Sequence, residues 1–101
     1  MDSIHYAMCL DYKIPIEIFQ QIEDLVNEYS HENFNFFVKP ISFGIILRAE
    51  EFPRGKNKTF CERCFSPWFF KFADHQNLKK FIEFSIRSLI EQINQYKLVK
   101  I

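Results

Sequence analysis

Between Pro15 and Ser30 the chain alternates polar and apolar residues at helical spacing. Ile18, Phe19, Ile22, Leu25, Val26 and Tyr29 recur every three to four residues and form one apolar face. Pro15 suits the start of that helix, because its missing N–H has no intrahelical partner there. Glu17, Asp24 and Glu28 fall together on the far side.

A second helical pattern runs from about Gln76 to Gln95. Its buried stripe is Leu78, Ile82, Ile86, Leu89, Ile90 and Ile93, with Phe81 at the margin and Phe84 on the polar side. Asp74 or Asn77 supplies the cap.

The remaining segments read as extended. Ile4 to Tyr12 is a short apolar and aromatic run, assigned as a strand. Phe34–Val38 and Ser42–Arg48 are extended as well, with Pro40 between them. The polar stretch from Pro53 to Lys58 turns the chain, and residues 59–72 run back as a second arm interrupted by Pro67. This gives a long central hairpin whose two prolines are nearly equidistant from the turn, so both arms bend at one level. Lys97 to Ile101 alternates and is expected to be a final strand.

The order β-α-β-β-α-β predicts a single α+β domain over residues 1–101. Its expected form is a ferredoxin-like split sandwich, with two helices on one face of an antiparallel sheet. The alternative is an irregular α+β fold with a projecting hairpin. The open sheet face is where surplus aromatics would lie, and thirteen of the 101 residues are Phe.

Net charge is zero, but the charges are segregated. Residues 1–53 hold nine acids against three bases, and residues 54–101 hold ten bases against four acids. Folded side by side, such halves make a dipolar surface that steers a charged partner onto one face.

Cys61-Glu62-Arg63-Cys64 is the one sharp motif. A CxxC places two thiols within reach of one metal or of each other, and Cys9, His5, His31 and His75 are the further ligand types available. The flanking residues instead predict a strand, in which Cys61 and Cys64 point to opposite faces. That parity favours two ordinary cysteines, and three cysteines are too few for a disulfide scaffold. No metal or cofactor is expected. The histidines lack a nucleophile pattern, and Gly44 and Gly55 are isolated, so no phosphate loop is present.

These features predict a small, cytoplasmic, non-catalytic protein-binding domain. Its most concrete version is an inhibitor of the immunity or antitoxin type, which neutralises a basic partner such as a nuclease. Glu17, Asp24 and Glu28 are the expected acidic contacts, with Arg54, Lys56, Trp68 and Phe84 as a second surface. The alternatives are a nucleic-acid-binding module built on the basic aromatic hairpin 52–68, and a metal-binding CxxC protein. An open sheet edge or Phe84 would also serve a homodimer.

Overall fold

The computed structural model describes residues 3–29, 31, 33–51, 60–66 and 74–99. Three helices and a three-stranded antiparallel sheet form an α+β fold: α1 (Ser3–Asp11), α2 (Ile16–Asn27), β1 (Phe34–Ile41), β2 (Gly44–Glu51), β3 (Phe60–Phe65) and α3 (His75–Val99). The strands lie in chain order, β1-β2-β3.

Both long helices form as their periodicity predicts. α2 begins after Pro15 and buries Phe19, Ile22, Leu25 and Val26. α3 buries Leu78, Ile82, Ile86, Leu89 and Ile93. Asp74 caps it, its Oδ1 accepting the Asn77 N–H at 2.8 Å.

The expected strand over 4–12 is helical through Asp11, not extended, which corrects the first element of the expected order. Nine residues with apolar side chains on all sides show no period, and Ala7, Met8 and Leu10 are good helix formers. The helix ends in a closed C-terminal motif. The Ile14 N–H donates to the Cys9 carbonyl at 2.9 Å and the Lys13 N–H to the Leu10 carbonyl at 3.3 Å. Lys13 sits at φ 56°, the left-handed position where glycine is usual, and Cys9 and Ile14 on either side of it are both buried.

The segment 34–51 is two strands rather than one arm of a long hairpin. It folds back at Ser42-Phe43, with Ile41 opposite Gly44. Ser42 and Phe43 lack the positive φ that common two-residue turns require, and the sequence shows no Asn-Gly signal. Gly44 takes the unusual conformation instead, at φ 151°. Pro40 fits inside β1 because Ile41 and Gly44 close the turn. Alternate pairs from there exchange hydrogen bonds, so Pro40 falls between them with its nitrogen toward the sheet edge.

The second arm is β3, which pairs with β2 from Glu50↔Phe60 to Ile45↔Phe65. The turn 53–58 and Pro67 lie outside the described residues. The expected last strand is corrected too, since α3 continues to Val99. No Gly or Pro interrupts residues 74–101, and extending a formed helix costs little. The described order is therefore α-α-β-β-β-α, and the split β-α-β-β-α-β arrangement does not form from these elements.

Strand alternation sorts the sheet into two faces. The inner rows are Pro40–Ile45–Phe65, Val38–Leu47–Arg63 and Phe36–Ala49–Cys61. α2 packs beneath β1, while α3 packs beneath β3 and β2. Phe65 meets Phe81 edge to face at 5.2 Å, and the Cys61 thiol donates to Gln92 Oε1 at 2.7 Å. The short α1 lies against α2 and β1, with His5 edge-on to Phe19 at 5.6 Å and 3.3 Å from the Glu23 carboxylate.

Candidate functional site

Every side chain on the crest of α2 that carries charge is an acid. At about 100° per residue, Glu17, Asp24 and Glu28 line up opposite the buried stripe, and all three are exposed. Gln20 Nε2 donates to Asp24 Oδ1 at 2.9 Å and steadies that carboxylate. Among the described residues no base forms an ion pair with any of the three.

Their placement along the helix matters. Glu17 lies in the first turn, where negative charge meets the positive end of the helix dipole. Asp24 and Glu28 lie at the other end, and the last turn contains no base. An exposed anion at a helix C-terminus costs about 0.3–1 kcal/mol. Two such residues on one crest are a cost that the fold itself does not require.

The crest of α3 is of mixed sign, with Lys80, Arg87 and Glu91 all exposed on it. Lys80, Phe84 and Arg87 are spaced four and three residues apart and are all exposed, Phe84 to 63%. Arg63 reaches out from the inner face of β3, its guanidinium 5.7 Å from the ring centroids of both Phe81 and Phe84. Arg63 is thus the cation that reaches the Phe84 ring, with Lys80 and Arg87 as its neighbours in helical spacing. The sequence pointed to Phe84 alone. Lys80 and Arg87 were legible as its helical neighbours, whereas Arg63 arrives only through the packing of β3 on α3.

The two crests stand side by side. Tyr29, two residues past the end of α2, lies beside Glu83 and Arg87 of α3. Its hydroxyl is buried and makes no hydrogen bond of acceptable geometry. Burial, followed by the adjacent Glu83 carboxylate, pushes its pKa up to about 12.

The outer sheet face carries mixed chemistry. Phe37 and Phe60 are about half exposed there. Arg48 lies at its centre, with Nη1 3.1 Å from Glu62 Oε1 and Nε 3.3 Å from Glu50 Oε2. The Arg48 guanidinium sits 3.9 Å over the Phe60 ring. Two carboxylates hold this one arginine, so the face does not present a free row of cations to a phosphate backbone.

The CxxC motif lies within β3 and its cysteines take opposite faces, as strand parity predicts. Cys61 points inward to Gln92, and Cys64 is exposed on the outer face. Cys9 is fully buried, and burial followed by Glu23 raises its thiol pKa. Among the described residues no three His, Cys, Asp or Glu side chains converge on a metal-sized site. Arg54, Lys56 and Trp68 lie outside the described residues, so Phe84 is the described member of the expected second surface. Also among the described residues, no helix is long and apolar enough to cross a membrane.

Comparison with known proteins gave no match to a family model, a curated protein or a solved structure.

Proposed function

We propose that this chain is a small, non-catalytic protein-binding domain of the immunity or antitoxin type. It works in a reducing cytoplasm by occupying the surface of a basic partner, such as a nuclease. The observation that carries this reading is the acidic crest of α2, with Glu17, Asp24 and Glu28 exposed in one line and no ion pair to a base among the described residues. Asp24 and Glu28 oppose the helix dipole, so a partner's cations would relieve a local cost as well as add attraction. The apolar side chains exposed elsewhere, including Ile4 and Leu10 on α1 and Phe43 at the hairpin turn, supply area for further contact.

The test is affinity capture from the protein's own cell extract, with and without nuclease treatment. A stoichiometric protein partner should survive the nuclease and be lost when Asp24 and Glu28 are both changed to Lys. A partner retained at full affinity by that variant would refute the choice of face. Recovery of nucleic acid instead would refute the protein-binding reading.

A further inference from the structure

We propose that the outer edge of β3 seats an extended segment of another protein, which joins the sheet as an antiparallel strand and sets an acidic side chain against Arg63. This inference does not rest on the acidic crest of α2 and uses a different surface.

The two edges of the sheet differ. At β1, Pro40 turns its nitrogen to the edge and is fully buried, and His31 bridges Phe34. β3 has neither device. It pairs with β2 in one unbroken register from Phe60 to Phe65 and contains no Pro or Gly. Its hydrogen-bonding phase follows from the hairpin turn. Ile46, Arg48 and Glu50 bond to β1, so Ile45, Leu47 and Ala49 bond to Phe65, Arg63 and Cys61 of β3. The backbone N–H and C=O groups of Phe60, Glu62 and Cys64 therefore point away from β2. All three residues are exposed, and among the described residues no strand pairs with them on that side.

The flank of α3 lies under this edge, and direct contacts fix its level. Phe65 meets Phe81, the Arg63 guanidinium reaches Phe81 and Phe84, and the Cys61 thiol bonds to Gln92. α3 thus runs opposite to β3, with Phe84 level with Arg63 and Gln92 level with Cys61. An added strand would turn alternate side chains onto this flank at those two levels. Exposed Phe84 gives that floor an apolar part. Arg63 is half-buried and makes no ion pair among the described residues, whereas Glu62 on the outer face is held by Arg48 at 3.1 Å. Glu91, next to Gln92, is exposed toward the Cys61 end. The segment that fits carries an acid opposite Arg63 and none opposite Cys61.

The occupant is foreign rather than a second copy. Antiparallel registers in the right phase that align 60–64 or 61–65 with themselves set Glu62 opposite Glu62 or Arg63 opposite Arg63. Like charges directly opposite destabilise a sheet. An inward-facing charge at an open edge is also a known guard against indiscriminate pairing, and here it selects the partner's sign.

The experiment titrates the full chain with the blocked peptide Val-Thr-Glu-Thr-Val-Thr, whose acid falls opposite Arg63 in the antiparallel register, and follows backbone amides by nitrogen–proton NMR. At about 1 mM peptide, enough to read a weak contact, the amides of Phe60, Glu62 and Cys64 should shift and gain protection from exchange. A peptide with Lys in place of the acid should bind roughly 10-fold more weakly. Arg63→Glu should reverse that preference, which also shows that the variant folds. N-methylation of the two threonines opposite Cys64 and Glu62 should abolish binding, while N-methylation of the acidic residue should not. No shift at these amides, or equal binding of the threonine-methylated peptide, would overturn the edge as a seat. Equal binding of the acidic and Lys peptides would overturn the role of Arg63. Protection of Glu62 and Cys64 that rises with protein concentration in the absence of peptide would make the occupant a second copy and overturn the foreign one.

Discussion

Gly44 is the residue on which the sheet's register depends most sharply, and Gly44→Ala tests it. An added Cβ would lie 2.4 Å from the carbonyl oxygen of Phe65 and 3.2 Å from its carbonyl carbon. Contacts of that kind do not fall below 3.0 Å, so the start of β2 and the end of β3 must part by roughly 0.6–1 Å. The neighbour is backbone and cannot rotate away. Overpacking of this sort costs about 1–3 kcal/mol. The φ of 151° adds backbone strain of about 1–3 kcal/mol for a residue with a side chain. The variant should therefore lose about 2–6 kcal/mol, a large share of the roughly 5–15 kcal/mol typical of a domain. Urea unfolding followed by far-ultraviolet circular dichroism measures the loss, with Ser42→Ala in the adjacent exposed turn as a control expected within about 0.5 kcal/mol of wild type. A Gly44→Ala loss below about 1 kcal/mol would refute the close approach of β3 to the hairpin turn.

Other perturbations follow from single sites. Lys13→Gly should stabilise the chain by about 0.5–1 kcal/mol, since Lys13 holds a left-handed conformation at the end of α1; a loss in urea unfolding would contradict that geometry. Tyr29 binds its proton more tightly folded than unfolded, so its contribution is intact below pH 10 and is lost as pH rises toward about 12. Tyr29→Phe should flatten the fall of stability over that window, and an unchanged slope would refute the assignment. In thiol labelling near pH 8, exposed Cys64 should react first and Cys9 only on unfolding, because Cys9 is buried with a raised pKa; early Cys9 labelling would contradict its burial.

The elements read correctly from sequence are those whose buried face repeats over several turns. The stripes of α2 and α3 fix which residues face the sheet, and the same arithmetic places Glu17, Asp24, Glu28 and Phe84 on exposed sides. The odd spacing of Cys61 and Cys64 fixes their opposite faces in the same way. The structure departs from the sequence pattern where no period exists or where a distant contact decides. α1 buries only Cys9 and is apolar around its circumference, so helix and strand read alike. The turn at Ser42-Phe43 carries no local turn signal and puts its unusual conformation on Gly44, packed close to the Phe65 backbone of β3. The end of α3 reads as a strand because its last five residues alternate, although no helix breaker precedes them. At the site, the acidic crest was legible in full. The approach of Arg63 to Phe84 was not, because Arg63 comes from another element.

The central claim is that Asp24 and Glu28 serve binding at the expense of the helix that carries them. The most direct measurement combines stability and binding in one neutralised variant, Asp24→Asn with Glu28→Gln. Removing two anions from the C-terminal end of α2, Asp24 in its last turn and Glu28 at its C-cap, should raise stability by about 0.3–1 kcal/mol for each residue in low salt. The same variant should bind a basic polypeptide at least roughly 10-fold more weakly, as expected when complementary charge is deleted. Higher stability with weaker binding is the result this account predicts. Lower stability with binding unchanged would contradict it, and would make these two carboxylates part of the fold rather than of the interface.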